Sequence, residues 1–212
     1  MFYVNQPYSS PRTITVTGEG AVSARPNYIE LRLEVTTMGE QITQVQQENA
    51  EKMNQVIHSL LAIGIPKEHI QTAAYTIFPR YEFIEGRQVF RGYEVTNGVN
   101  VRIEDIQQAG NIIDIAVQNG ANQVSSLQFK IENPSVYYQE ALEEAILDAF
   151  SKANTIGKTL QLSVQPQPIE IVENTSSPVR PFEAASLKSV ASTPIVPGES
   201  TIQASVTVKF QY

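Results

Sequence analysis

The chain has 212 residues and a formal net charge of −7, with 42% hydrophobic and 17% charged residues, a composition typical of folded globular proteins. It contains no cysteine, which excludes thiol catalysis, cysteine-ligated zinc, iron–sulfur clusters and disulfides. The acidic charge argues against nucleic acid as a partner, because phosphate binding depends mainly on lysine and arginine.

The N-terminus indicates where the protein is expected to reside. Residues 1–7 lack both the basic start and the apolar stretch of a signal peptide. No run of residues approaches the ~20 apolar positions that a membrane-spanning helix needs, so we expect no transmembrane segment. We therefore expect a cytoplasmic protein, with export to the periplasm as the alternative if a leader has been removed. Residues 1–11 are expected to form a flexible tail.

The first half of the chain alternates between strand and helix patterns. Residues 13–17 predict a short strand that ends in a turn at Gly18-Glu19-Gly20. A second strand, half-buried in an antiparallel sheet, is predicted by apolar residues at alternate positions: Ile29, Leu31, Leu33 and Val35. Apolar residues at helical spacing then predict a helix over about residues 40–63, which Gly64 ends.

The middle of the chain predicts a hairpin and a second helix. Two long strands, over about residues 70–84 and 88–103, are joined by a turn at Glu85-Gly86. Asp105 is expected to cap a helix that ends at Gly120.

The last third predicts two more strands around a helix, followed by a closing strand. A strand at 127–131 leads to Asn133-Pro134, a good start for a third helix with a buried stripe from Tyr138 to Leu160. A strand at 169–172 precedes a Pro/Ser-rich loop over 174–198. The closing strand alternates cleanly, with these residues pointing inward: Ile202, Ala204, Val206, Val208 and Phe210.

These elements predict an α+β fold. We expect a mainly antiparallel or mixed sheet of about seven strands, three helices packed on it, and a long protruding hairpin. Residues 12–212 are expected to form a single α+β domain, with two lobes as the alternative.

Two motifs resemble phosphate-binding loops, but each lacks a required glycine and neither is followed by the start of a helix. Gly18-Glu19-Gly20 resembles the start of a dinucleotide-binding fingerprint, but Ser23 stands at the third glycine position and a strand follows. Gly157-Lys158-Thr159 matches the end of a P-loop, but Lys152 replaces the earlier glycine and the segment closes a helix. We therefore predict no cofactor.

Candidate catalytic and metal-binding residues are few. A lone histidine can act as a general base, but of the two in the chain His58 is expected to be solvated, and no serine accompanies His69 in a nucleophile motif. Glu140, Glu144 and Asp148 are spaced four residues apart on the third helix, which suits either a cation or, more commonly, a water-facing stripe. We assign no catalytic or metal residue and expect a protein that is not an enzyme.

The best candidate for function is a surface on the predicted hairpin. Aromatic residues and arginines, which are enriched at protein–protein hot spots, interleave there as Phe78, Arg80, Tyr81, Phe83, Arg87, Phe90 and Arg91. Tyr75 and Tyr93 flank this set. The alternative is that half of these aromatic residues line the core face of a two-stranded ribbon. An unpaired hairpin edge would also accept a strand from a partner or a sister subunit.

The order of several short motifs resembles the SIMPL-domain family. The matching segments are Thr15-Val16-Thr17-Gly18-Glu19-Gly20, Arg25-Pro26-Asn27, Gly64-Ile65, His69-Ile70-Gln71-Thr72, Arg91-Gly92-Tyr93-Glu94, Ile112-Ile113-Asp114, Gly120-Ala121, the helix with Ala141, Ala145, Ala149 and Ala153, and Pro197-Gly198. This resemblance covers about residues 12–212. Asn27 departs from the pattern, because the family often has aspartate there.

The resemblance implies an α+β fold and self-assembly into larger oligomers, and it supplies no catalytic residues. The family includes bacterial periplasmic immunogenic proteins and oxidative-stress defence proteins. Our leading hypothesis is a non-enzymatic interaction or self-assembly protein linked to stress or the cell envelope, with a homo-oligomer or another protein as partner. The alternatives are a small-ligand-binding domain, an enzyme that uses carboxylates such as Glu82 or Glu94, and a divalent-cation binder on the third helix.

Overall fold

The computed structural model describes residues 12–174, 180–181 and 195–212. The flexible tail expected at 1–11 lies outside these residues, as does most of the Pro/Ser-rich loop expected at 174–198. The chain divides into two compact units. The first holds residues 12–25, 133–174, 180–181 and 199–212, and the second holds 26–132 and 195–198. The expectation of a single domain over 12–212 stays a prediction.

Eight strands and three α-helices make up the described part of the chain. The strands are β1 (Thr13–Ala24), β2 (Tyr28–Gly39), β3 (Ile70–Ile84), β4 (Arg87–Ile103), β5 (Gln123–Lys130), β6 (Pro168–Asn174), β7 (Arg180–Pro181) and β8 (Ser200–Gln211). The helices are α1 (Ile42–Ala62), α2 (Ala109–Gln118) and α3 (Pro134–Leu160). None of the helices within the described ranges is both long and apolar enough to cross a membrane.

The α+β class and the antiparallel pairing are confirmed, with the strands divided between two sheets. In the first unit, β8 lies between β1 and β6 and also pairs with β7. The register of β1 and β8 runs from Thr13 opposite Gln211 to Ala24 opposite Ser200. The alternation expected in β8 is confirmed, because all five of its inward residues are buried. Four of them, Ala204, Val206, Val208 and Phe210, pack with α3 in a core that also comprises Ile14, Val16, Ala141, Ala145, Ala149 and Ala153.

The turn expected at Gly18-Glu19-Gly20 is wrong, because β1 continues through both glycines. These glycines let α3 lie directly on the strand. A Cβ added to Gly18 would run into the carbonyl oxygen of Ala145, and one added to Gly20 would run into that of Ala141. The glycines therefore serve close helix–sheet packing, which residues without bulk permit.

The expected buried stripe of α3 is also only partly right. The helix buries small residues at every fourth position, from Ala141 to Gly157, while Leu160 is 61% exposed. Larger apolar residues cannot occupy that seam because the strand backbone lies against it. Pro134 stands in the first turn as expected, but the Asn133 side chain makes no capping hydrogen bond.

In the second unit, the strands are ordered β3-β4-β2-β5. Helices α1 and α2 contribute to its core, which comprises Ile29, Leu31, Leu33, Val35, Met53, Val56, Leu60, Val99, Val101, Ile103, Ala109, Ile112, Ile113, Ala116 and Ala121. The predicted bounds of the hairpin strands and α1 are confirmed to within two residues, and β2 includes the predicted alternating residues and continues to Gly39. Asp105 caps a short 3-10 turn before α2, because its Oδ1 accepts the Gln107 N–H at 3.1 Å.

The face of β2 that carries its polar residues was expected to be exposed to water, but it is partly buried. Glu34 and Thr36 are buried there. The Arg32 Nε donates to Glu34 Oε1 at 2.7 Å, and the Ser125 hydroxyl donates to Glu34 Oε2 at 3.4 Å. Gly98 on β4 leaves room for this carboxylate, since an added Cβ would lie 3.1 Å from it. Polar groups on this face of β2 therefore hydrogen-bond with one another around Glu34 and are not all solvated.

One buried polar side chain fastens α1 to the sheet. Asn49 is fully buried, and its Nδ2 donates to the carbonyl oxygens of Val35 at 2.8 Å and Val95 at 3.0 Å. These hydrogen bonds join the helix to β2 and β4. Their loss would leave two buried acceptors without that donor, which is more costly than removing a donor and its acceptors together.

Replacing Asn49 by alanine is expected to lower the free energy of unfolding by about 2 kcal/mol, because buried carbonyl groups lose their hydrogen bonds. Urea denaturation followed by circular dichroism measures the change. Gln44→Ala on an exposed position of the same helix is the control and should change little. Equal stability of the two variants would contradict this role for Asn49.

Candidate functional site

The hairpin of β3 and β4 extends beyond the rest of its sheet. β2 pairs with β4 only as far as Gly39 opposite Tyr93. β3 and β4 stay paired with each other as far as Ile84 opposite Arg87. The end of the hairpin is therefore a two-stranded ribbon, and such a ribbon gains little stability in water from its own contacts.

All seven residues of the expected interaction surface lie exposed on this hairpin. The exposed fraction reaches 60% for Phe78 and 74% for Phe83. The alternative placed half of the hairpin aromatics against the core, but Tyr93 is the one half-buried ring among them and Tyr75 is exposed as well. The described part of the chain thus leaves this apolar surface exposed, and its role in binding stays a prediction.

Aromatic rings follow one another along one face of the ribbon. The rings of Tyr81 and Phe90 are 5.7 Å apart, and those of Phe90 and Tyr93 are 5.3 Å apart, both edge to face. Because alternate residues of a strand share a face, Phe83 continues the row beyond Tyr81. We call this row of four residues the aromatic stripe. It forms a continuous apolar contact surface of rigid side chains, which lose little conformational entropy on binding.

Ion pairs flank the aromatic stripe. Arg91 Nε lies 2.7 Å from Glu82 Oε2, and Arg80 Nε lies 3.7 Å from Glu94 Oε2. Arg80 Nη1 also lies 2.9 Å from the sulfur of Met38. The two carboxylates considered for catalysis are therefore each paired with an arginine on an exposed ribbon. This arrangement offers no enclosed acid–base pair.

The ribbon has a formal net charge of zero, unlike the chain as a whole. Residues 78–94 contain three arginines and three glutamates, whereas the whole chain carries −7. β3 is also the outermost of the described strands in its sheet, so one of its edges has no neighbour among them. The hairpin thus combines apolar area, neutral charge and a strand edge, three features that favour contact with another polypeptide.

Two acidic residues of α3 bind the backbone of β1. Asp148 Oδ2 accepts the N–H of Glu19 at 2.9 Å, and Glu144 Oε2 accepts the N–H of Ala21 at 3.2 Å. Glu140 and Glu144 are exposed and Asp148 is half-buried, which fits the expected water-facing stripe, and Glu144 and Asp148 additionally bind this strand. The spacing of the carboxylates on α3 did not predict these hydrogen bonds, because β1 lies more than a hundred residues earlier in the chain.

Together with Lys152, these side chains occupy the outer edge of a sheet. Lys152 Nζ donates to the carbonyl oxygen of Thr17 at 2.9 Å and lies 2.6 Å from Asp148 Oδ2. β1 is an edge strand, and free edge groups invite pairing with other chains. Side chains of α3 therefore block this edge. Across the described ranges, no cluster of three or more acidic or histidine residues is arranged to hold a metal ion.

Asp148 makes this edge sensitive to acid. Hydrogen bonds from the Lys152 ammonium and then from the Glu19 N–H lower the pKa of the Asp148 carboxyl below its ordinary value of 3.8. A lowered folded-state pKa contributes stability that is present above the unfolded value and lost as the pH falls through the folded value. The unfolding free energies of the wild type and Asp148→Asn should therefore converge as the pH falls from about 4 to about 2.

Urea denaturation at several pH values measures this convergence. Glu143→Gln, an exposed position on the same helix, is the control and should leave the pH profile unchanged. Parallel profiles for the wild type and Asp148→Asn would contradict the link to Asp148.

The P-loop resemblance has a packing explanation. Gly157 is buried in α3, and a Cβ there would meet the side chain of Val164. The residue allows close contact with the segment after the helix and does not open a phosphate-binding loop.

The two histidines differ in their exposure and in the groups around them. His58 is exposed, as expected. His69 Nε2 lies 3.9 Å from Glu104 Oε1, and this same oxygen lies 3.6 Å from Arg102 Nη2. The sequence interpretation did not identify Arg102 or Glu104, because they lie more than thirty residues beyond His69 in the chain. His69, Arg102 and Glu104 line a pocket of the second unit.

Curated relatives are similar to three quarters or more of the chain. The 26 kDa periplasmic immunogenic proteins of Brucella melitensis and Brucella abortus are each 29% identical over 220 residues, covering 98% of this chain and 87% of the relative. The uncharacterized protein YggE of Escherichia coli is 24% identical over 162 residues, covering 76% of this chain and 65% of the relative. The expectation of a cytoplasmic protein is wrong, because the Brucella relatives are named for the periplasm, and the alternative of export fits that finding.

A family model supports the same relationship. The model named SIMPL, with the description "Protein of unknown function (DUF541)", matches residues 14–210. The match includes both compact units and confirms the resemblance carried by the short motifs. The chain belongs to the SIMPL family.

Proposed function

We propose that this chain is an exported, non-enzymatic protein of the bacterial cell envelope that self-associates through the hairpin of β3 and β4. The observation that carries the proposal is the ribbon with its exposed aromatic stripe. Large apolar groups that stay in water are typical of surfaces that another protein covers. The stress-related role implied by the family resemblance would then be exercised through binding and not through turnover of a substrate.

A second copy of the chain is the occupant that the charges favour. Two copies with a formal charge of −7 repel each other over most of their surfaces. The ribbon, with its equal numbers of arginines and glutamates, is a region where two copies approach without that repulsion. Its pairs Arg91–Glu82 and Arg80–Glu94 can also exchange partners across a symmetric contact.

The edge strands of the two sheets differ in whether side chains cover their backbone groups. Glu144, Asp148 and Lys152 block the edge of β1, whereas β3 carries an outer edge on a ribbon rich in aromatic residues. This contrast supports strand pairing or ribbon packing at β3 as the mode of association.

Export is supported by the Brucella relatives, whose name places them in the periplasm. The chain has no cysteine, and it therefore needs no disulfide chemistry in an oxidising compartment. Fractionation of cells that express the full-length gene tests this point. Recovery in the cytosolic fraction alone would contradict export.

Light scattering coupled to size-exclusion chromatography tests self-association. The mass is expected to exceed that of one chain and to fall on dilution through the dissociation constant. A strict monomer at all accessible concentrations would contradict the proposal.

A further inference from the structure

Backbone groups of β3 alternate in direction, and hydrogen bonds of the neighbouring strands fix which of them face the outer edge. The Asn122 side chain, just before β5, accepts the Thr36 N–H at 2.8 Å and donates to the Thr36 carbonyl oxygen at 2.7 Å. Thr36 on β2 thus points its backbone groups away from β4. Its partner Thr96 points toward β3, because directly opposed antiparallel residues either exchange hydrogen bonds or both face outward. Thr96 therefore pairs with Thr76, and Pro79, three residues farther on, faces the outer edge.

Pro79 interrupts the outer edge of β3. It has no N–H to offer, and its ring lies where the carbonyl group of an added strand would approach. The pairing with β4 also shifts register between Thr72 and Ala74 and again between Arg80 and Tyr81. Edge prolines and bulges are devices by which proteins prevent strand addition. An added strand would therefore find only a short regular ladder on β3.

The other edge of the ribbon, on β4, is also short. β2 ends its pairing with β4 at Tyr93, and Gly92 just beyond it adopts a φ of 106°, a conformation that favours glycine. The pairing of β4 with β3 also skips Arg91. The regular part of this edge is therefore limited to residues 87–90, which is too short to favour strand pairing with a second copy.

The face of the ribbon that carries the aromatic stripe is uncharged. Because alternate residues of a strand share a face, this face comprises Pro79, Tyr81, Phe83, Gln88, Phe90 and Tyr93. Two chains of formal charge −7 can therefore bring these faces together without burying an ionised group. Phe78 lies on the other face, across from Glu94 on the neighbouring strand. The stripe face is thus the surface of the ribbon that best suits a second copy.

We propose that two copies associate face to face, with the aromatic stripe of one copy against the aromatic stripe of the other, and not by strand addition along β3. This inference rests on the proposed self-association and specifies its contact. A two-fold axis presents the same surface from both copies. The rings of one copy then contact those of the other edge to face, as the rings within one chain already do at 5.7 and 5.3 Å.

Nuclear magnetic resonance distinguishes the two modes of association. The amide groups of Tyr75 and Ile77 face the same edge as Pro79, because alternate residues point the same way. We expect these amides to exchange with solvent at the same rate in the oligomer and in the diluted monomer. In a mixture of isotope-labelled and unlabelled chains, we expect nuclear Overhauser effects between Tyr81 and Phe90 rings of different copies. Exchange slowed about tenfold or more at both amides in the oligomer would overturn this mode, and so would an oligomer without these ring contacts.

Two single substitutions on opposite faces of the ribbon provide a matched comparison. Phe90→Ala removes a ring of the aromatic stripe, and Phe78→Ala removes an exposed ring from the other face. We expect the dissociation constant from sedimentation equilibrium to rise about tenfold or more for Phe90→Ala and to stay within about twofold of the wild type for Phe78→Ala. Equal weakening by the two variants would overturn the face-to-face mode and leave self-association standing. A wild type that stays monomeric would contradict the proposed self-association itself, and this mode with it.

Discussion

Replacing Phe83 and Phe90 together by lysine is expected to abolish the proposed self-association through the hairpin. Both rings are exposed in the single chain, so their loss should leave the fold intact. At an interface, two buried aromatic residues together contribute about 3 kcal/mol, which corresponds to a dissociation constant raised about 100-fold. Added lysines would also break the charge balance of the ribbon. Sedimentation velocity over a concentration series measures the change.

The control for this variant removes apolar residues from another exposed surface. Val136 and Leu147 on α3 are 52% and 61% exposed. Changing both to lysine adds the same charge as the hairpin variant and also removes two exposed apolar side chains. We expect Val136→Lys with Leu147→Lys to assemble like the wild type. Equal loss of assembly in both double variants would show a general charge effect and would contradict a role for the aromatic stripe.

Gly18→Ala is expected to be among the most destabilising single changes in the first unit. The added methyl group would run into the carbonyl oxygen of Ala145 and lie 2.8 Å from the Ala149 Cβ. Backbone cannot rotate away as a side chain can, so α3 must move off β1. The unfolding free energy should fall by about 3 kcal/mol or more, the upper end of the cost of overpacking.

Gly20→Ala is expected to act in the same way, because its methyl group would meet Ala141 and would lie 2.7 Å from the backbone nitrogen of Ala145. Urea denaturation of each single variant measures the loss. Thr15→Ala, an exposed position on the same strand, should cost less than about 1 kcal/mol. Wild-type stability of Gly18→Ala would show that α3 and β1 are not packed as closely as described.

Local patterns in the sequence predicted most of the regular structure. Strands β2 and β8 show period-two alternation because one face of each meets a core, and that alternation can be read without knowing the partner. The turn at Glu85-Gly86 was also predicted from the local sequence. Both residues adopt positive φ values there, 48° and 77°. Helix α1 was located by its own 3.6-residue periodicity and by Gly64 after it.

The errors concern residues whose role depends on distant partners. Gly18 looked like a turn residue because nothing near it in sequence shows that α3 will lie on top of it. The backbone partner of Asp148 was not predicted because the edge strand that it binds lies 129 residues away in the chain. The pocket residues His69 and Arg102 are separated in the same way. Such roles follow from tertiary packing, and local periodicity carries no signal for them.

The candidate surface was predicted for a different reason. Aromatic residues and arginines such as Phe83 and Arg87 were noted by type, and the structure shows them exposed on the ribbon. The sequence did not distinguish this arrangement from one in which half of the rings are buried. That distinction depends on where β2 stops pairing with β4, at Tyr93.

The most direct measurement of the central claim is the proximity of hairpins between copies. The chain has no cysteine, so Gln88→Cys allows a single spin label at the tip of the ribbon, and Gln44→Cys on α1 provides a control site. We predict strong dipolar coupling between labelled copies at position 88 that disappears on dilution with unlabelled protein and is weaker at position 44. Absence of intermolecular coupling at position 88, in a sample shown to be oligomeric, would contradict assembly through the hairpin.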